Sequence, residues 1–174
     1  KINGKKIVIY DDDHYYFGSV CALELRKRGH EVVLITPAGR VCGWGAYTDE
    51  QEASTHALIK AGVEIITNKT IDTVASGRAE LSCVFSNNPS TIACDAVVPL
   101  TRKIPVTDLY DDLIYNKNRY TEAGIQSITR IGDAEAPSII AAAIHSGYRA
   151  AFDLGQDIDL AQRYGRREHP ATTC

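Results

Sequence analysis

Between Lys5 and Thr36 the chain reads KKIVIY, DDDHYYFGS, VCALELRKRGH and EVVLIT. Two short β-branched runs flank one amphipathic helix, and chains of that pattern close as a βαβ crossover with the strands parallel. In a dinucleotide-binding unit the first turn carries G-x-G-x-x-G, so that a pyrophosphate can approach bare backbone. Here Asp11, Asp12 and Asp13 fill that turn, and only Gly18 stands near the third glycine position. Three carboxylates beside a helix N-terminus answer its dipole themselves and repel a diphosphate. The scaffold says nucleotide, and its turn says otherwise.

Further along, the helix over 19–28 stops at Gly29, and a loop with Cys42, Trp44 and Tyr47 leads to a second helix over 49–61, ended by Gly62. Residues 63–66 read as a third short parallel strand. The period then changes: 70–75, 79–85 and 91–94 alternate as an antiparallel meander, broken by Ser76-Gly77 and by Asn87-Asn88-Pro89-Ser90. The apolar run 96–100 returns to the parallel sheet. A helix over 107–115, a polar stretch to Tyr120, a last strand over 128–131 and a helix over 137–153 follow, with Pro137 suited to a helix first turn. From Gln156 onward a polar, irregular tail is expected. These elements predict an α/β chain: a Rossmann-like NAD(P)/FAD-binding domain of the glutathione reductase type, with a parallel sheet and an antiparallel β-meander. The expected division is 1–103, an NAD(P)-like domain with a degenerate phosphate loop, and 104–174, a connecting helix plus the closing strand-helix segment of an FAD/ADP-binding domain.

At 174 residues the chain can bury one core or a little more. Its net charge of −3 offers no basic stripe for nucleic acid. The longest apolar run is too short for a membrane span. Five scattered cysteines include no C-x-x-C pair, which argues against a metal centre and for a reduced, cytoplasmic protein. The absence of methionine and the start at Lys1 suggest a piece of a longer protein.

The acidic turn admits rival readings. A receiver domain would need an aspartate at the end of the third strand, where Asn68 stands; a D-x-D phosphatase would want Thr or Val where Tyr15 stands. A degenerate dinucleotide fold explains the turn and the meander together, and plain capping of the helix by the acids is compatible with it. After the second strand, Thr36 takes the place of the acid that holds ribose hydroxyls, and Arg40 is nearby for a 2′-phosphate or for solvent. Gly132-Asp133, ahead of Pro137, is the better candidate: a helix N-terminus with free N–H groups suits a polar ligand, and the carboxylate can accept from a ribose or ribityl hydroxyl. His14, Tyr15, Tyr16 and His145 have no positioned nucleophile beside them, so no catalytic residue is assigned.

Three stretches, IVIYDDDHYYFGS, RGHEVVLITPAGRV and RIGDAEAPSIIAAAIHSGYRAA, resemble the C-terminal half of trimethylamine dehydrogenase-like flavoproteins. That family includes dimethylamine and histamine dehydrogenases and N-methylproline demethylases. The resemblance implies a fragment of an FMN/iron–sulfur oxidoreductase that demethylates or deaminates a small amine, itself noncatalytic. It implies ADP or FAD at a domain interface of the parent, contacted here by Gly132, Asp133, Ala134 and Pro137, with FMN and a 4Fe–4S cluster in a barrel outside this chain. Implied partners are the remaining parent domains and an electron-transfer flavoprotein. The alternative is the NAD(P)H-binding module of a 2,4-dienoyl-CoA reductase-like flavoenzyme, whose family keeps a glycine-rich turn where this chain has acids.

Overall fold

In the computed structural model, which describes residues 2 and 4–155, the chain forms two compact units, Lys1–Arg102 and Lys103–Cys174. The first unit begins with β1 (Lys6–Asp11), α1 (Phe17–Lys27) and β2 (Glu31–Ile35), followed by a 3-10 turn, Gly43–Tyr47. Next come α2 (Gln51–Lys60), β3 (Glu64–Ile66), β4 (Lys69–Ala75), β5 (Arg78–Cys83), β6 (Pro89–Ala93) and β7 (Ala96–Leu100). The parallel sheet runs β3-β2-β1-β7, and β4-β5-β6 make a separate antiparallel sheet.

β1 lies between two parallel neighbours, with Ile7 opposite both Val32 and Ala96 and Ile9 opposite both Leu34 and Val98. The two-residue period of a strand then sorts its side chains. Ile7 and Ile9 join Ala22, Leu25, Leu34 and Leu58 on the helical face, whereas Val8 joins Val33, Ile35, Ala79 and Leu81 under the meander. With both faces covered, Ile7, Val8 and Ile9 are wholly buried. That accounts for a continuous apolar run where a half-exposed strand would alternate.

Both helices of this unit end as the glycines foretold. Gly29 and Gly62 adopt φ of +90° and +72°. The N–H of each donates to the carbonyl three residues back, Arg26 or Ile59, and the next N–H donates to Leu25 or Leu58. Each is a Schellman closure that a side chain with a Cβ would strain.

The second unit contains α3 (Asp108–Tyr115), α4 (Lys117–Glu122), a 3-10 turn over Gly132–Ala134 and α5 (Ile140–Asp153). Three expectations change here. The polar stretch after Tyr115 is helical through Glu122. Residues 128–131 form no strand, because among the described residues no neighbour offers them a ladder. The last helix starts at Ile140, not at Pro137, since the turn at Gly132 and an extended Ile139 (ψ 157°) delay it. Among the described residues of this unit, only Tyr120 is a buried apolar side chain. Ile140, Ile144, Tyr148 and Phe152, spaced by one helical turn, are all exposed. The expected irregular tail from Gln156 lies outside the described residues.

Candidate functional site

The order β3-β2-β1-β7 reverses direction at β1, so the crevice that receives ligands in such sheets opens beyond the C-terminal ends of β1 and β7. The acidic turn occupies that crevice. Asp12 N–H donates to Leu100 O at 2.9 Å, which extends the β1–β7 ladder into the turn. Asp11 is fully buried, and its Oδ1 accepts from the N–H groups of Asp13 and His14 at 3.2 and 3.3 Å. Its Oδ2 is buried with no hydrogen-bond partner. Burial pushes the Asp11 carboxyl above its usual range, opposed by those two backbone donors.

Neither the N-cap position nor the first turn of α1 is acidic, and the N-cap residue, Tyr16, makes no side-chain cap bond. Asp11 instead organises the turn ahead of the helix and reaches under it. A Cβ placed on Gly18 would stand 2.4 Å from Asp11 Oδ2. The surviving glycine therefore makes room for a carboxylate of this chain. His14, at φ +60°, accepts from Trp44 N–H at 2.9 Å, and Tyr15 hydroxyl meets Glu50 Oε2 at 3.3 Å, which fastens the Trp44–Tyr47 loop across the turn. Trp44 and Tyr47 remain exposed, their rings 5.6 Å apart.

Neither residue beyond β2 is placed for a dinucleotide. The buried Thr36 hydroxyl accepts from Ala38 N–H at 3.2 Å. Arg40 borders a dent that also presents Asp49 and Glu52, a poor setting for a 2′-phosphate.

Gly132, Asp133 and Ala134 share one 3-10 turn in the second unit. Gly132 has φ +56°, the left-handed region where a glycine is at ease. Its N–H, expected to be free, donates to Ser146 Oγ at 2.9 Å, and its carbonyl accepts from Glu135 and Ala136. Asp133 is exposed; Oδ1 accepts from Ser138 N–H at 3.3 Å, and Oδ2 has no partner among the described residues. Pro137 is half-buried in the connection to α5, whose first turn holds no acid and no side-chain cap. A free carboxylate oxygen, a residue without Cβ and an uncapped helix end suit a hydroxylated, anionic ligand.

Sequence reasoning missed two features. Arg130 and Arg149, nineteen positions apart in the chain, border one cleft in the second unit. The Cys83 thiol lies at the rim of the meander, where the Ser86 hydroxyl and the N–H groups of Phe85 and Ser86 lower its pKa to about 7. No spacing motif announces either. Among the described residues no cluster of three His, Cys, Asp or Glu side chains could hold a metal ion, and no helix is long and apolar enough to cross a membrane.

The family described as "OYE-like second alpha/beta domain" matches residues 1–111. The chain belongs to that OYE-like family. This corrects the glutathione reductase-type assignment, and the acidic turn supplies the physical reason: a buried carboxylate stands where that type leaves glycine and space. Solved structures agree. Histamine dehydrogenase from Rhizobium sp. 4-9 aligns at 38% identity and TM-score 0.79 over 92% of this chain and 24% of its own. The 6-hydroxypseudooxynicotine amine oxidase from Pseudomonas geniculata N1 aligns at 28% and 0.76 over 88% of this chain and 23% of its own. Dimethylamine dehydrogenase from Hyphomicrobium sp. (strain x) is 29% identical over 98% of this chain and 26% of its own length. The OYE-like chain thus spans about a quarter of the relatives it matches.

Proposed function

We propose that this OYE-like chain is a noncatalytic part of a larger flavoenzyme that oxidatively demethylates or deaminates a small amine, on the N-methylproline demethylase and trimethylamine dehydrogenase pattern. The observation that carries it is the match to histamine dehydrogenase, 38% identical across 92% of this chain. In this reading FMN, bound elsewhere in the parent, supplies the hydride acceptor, and a 4Fe–4S cluster passes electrons to an electron-transfer flavoprotein, all in the cytoplasm. Residues 1–103 are a nucleotide-type domain retired from cofactor binding. Residues 104–174 close an ADP- or FAD-binding domain. The exposed stripe of Ile140, Ile144, Tyr148 and Phe152 supports that role, because such a face is stable when a neighbour covers it.

Within this chain the contacts fall to Gly132, Asp133, Ala134 and Pro137. Asp133 Oδ2 accepts from a ribose or ribityl hydroxyl, Gly132 lets backbone approach the ligand, and the start of α5 faces its phosphate. Calorimetric titration of the 174-residue chain tests this. ADP binding is expected, weakened about tenfold by Asp133→Asn, the worth of one charge-assisted hydrogen bond. Tight NADPH binding, or FMN colour in the purified chain, would overturn the reading.

A further inference from the structure

Residues 129–131, Glu135 and the middle of α5 line a cleft of about 180 Å³. Thr129 and Arg130 line it together with His145, Ser146 and Arg149 of α5, and Glu135 lines it as well. None of Gly132, Asp133, Ala134 or Pro137 is among the lining residues, so the cleft lies beside the nucleotide contact proposed above and touches it through Ser146. We infer that this cleft is a binding site for a phosphate-sized oxyanion.

Three observations carry it. First, the positive charge is only partly spent internally. No ion pair joins Glu135 to either arginine among the described residues. The acid nearest Arg149 is Asp153, whose Oδ2 lies 3.9 Å from Nε, at the outer limit of an ion pair. Second, the donors are held in place. The Arg130 guanidinium carbon sits over the Tyr110 ring, 4.8 Å from its centre, a cation–π contact that holds the side chain in place without taking up a hydrogen bond. Ser146 Oγ already accepts from Gly132 N–H, so its own proton is left to donate.

Third, the geometry selects the ligand. Guanidinium groups line the cleft from two elements, and a multiply charged tetrahedral oxyanion answers both with more oxygens and more charge than a carboxylate carries. Ligand pockets for whole cofactors run to about 300 Å³ or more, so the cleft admits a phosphoryl group while a nucleoside attached to it would lie outside. Free inorganic phosphate and the phosphoryl end of a nucleotide share this chemistry.

Phosphorus NMR and calorimetry on the 174-residue chain test the assignment, with inorganic phosphate, ADP and adenosine as probes. Phosphate and ADP should bind in the cleft and adenosine should not compete. If ADP outbinds phosphate only through its nucleoside, Asp133→Asn will erase the difference; if not, free phosphate is the ligand of the cleft. Arg130→Gln and Arg149→Gln should each weaken phosphate about tenfold, Arg149→Lys less, with melting curves confirming that the variants fold. Asp133→Asn should leave phosphate binding intact. Absence of phosphate binding at millimolar concentration, or binding indifferent to both arginine substitutions, overturns the proposal. If the arginine variants lose phosphate while Asp133→Asn leaves ADP untouched, the cleft stands and the nucleotide contact at Asp133 falls.

Discussion

The two glycine–aspartate turns of this chain solve opposite problems. In the first unit, Asp11 and Gly18 face each other across a closed turn: the carboxylate is buried, and the glycine exists to admit it. In the second, Gly132 and Asp133 are adjacent in an open turn, with a Cβ on Gly132 meeting nothing closer than 3.6 Å and the carboxylate at the surface. The first arrangement has consumed its own ligand space. The second leaves an acceptor and a helix start unspent. On the function proposed above, a nucleotide-type fold keeps its strands, its crossover and even one glycine after its ligand chemistry is gone, because packing alone retains them.

The sharpest way to break this comparison is Gly18→Ala. Gly18 sits in α1, where alanine is intrinsically the better helix former, so helix propensity predicts a gain. Contact predicts a loss, since the new Cβ would press on Asp11 Oδ2. Contact wins, and denaturant unfolding should show a loss of roughly 2–3 kcal/mol, as for other overpacked sites. Pairing it with Asp11→Gly should recover at least about 1 kcal/mol relative to additivity. A stable Gly18→Ala single variant would mean that the turn is open after all.

A smaller effect concerns charge. Asp11 has its pKa raised in the folded state by burial, so its contribution favours folding below the unfolded value and is lost as pH rises through the raised one. Asp11→Asn keeps the acceptor for the Asp13 and His14 N–H groups and removes the charge. The variant should gain on the wild type by about 1 kcal/mol at pH 7, the worth of sparing a buried, poorly paired carboxylate. The gain should shrink as the pH falls toward 4, the usual carboxylate range. Equal melting temperatures of the two proteins at every pH would show that Asp11 is solvated. The exposed Asp12, put through the same substitution, should move little.

The parallel strands, the meander and both helix ends were legible because each depends on local signals: β-branched runs, a change of period at Thr70, and glycines at 29 and 62. Asp11 was legible as an acid but not as a buried one. Its neighbours Leu100 and Gly18 arrive through topology, and the three aspartates look alike in the chain. The Trp44 backbone clamps the turn at His14, a pairing across thirty positions with no sequence signature. In the second unit the reading ran short for a different reason. Residues 128–131 have strand composition, but a strand is made by its neighbours, and none lies among the described residues. Pro137 suits a helix start in isolation, yet Gly132 in the left-handed region had already turned the chain another way.

The mildest test sharpens the comparison from outside both turns. If the first unit is closed at its crevice, its reactive chemistry should sit elsewhere, and Cys83 is where the structure puts it. Cys42 and Cys94 are buried, and the thiols of Cys21 and Cys94 are pushed up by burial. Cys83, held near pKa 7 first by the Ser86 hydroxyl and then by the N–H groups of Phe85 and Ser86, ionises while those thiols stay protonated. Among the described cysteines, alkylation at neutral pH should therefore mark Cys83 first, with a rate that is half-maximal near pH 7. Ser86→Ala should move that midpoint upward and leave thermal stability unchanged, since the thiolate is solvent-facing. Peptide mapping that finds Cys21, beside the Asp11 turn, labelled ahead of Cys83 would put the open chemistry of this unit back at its crevice.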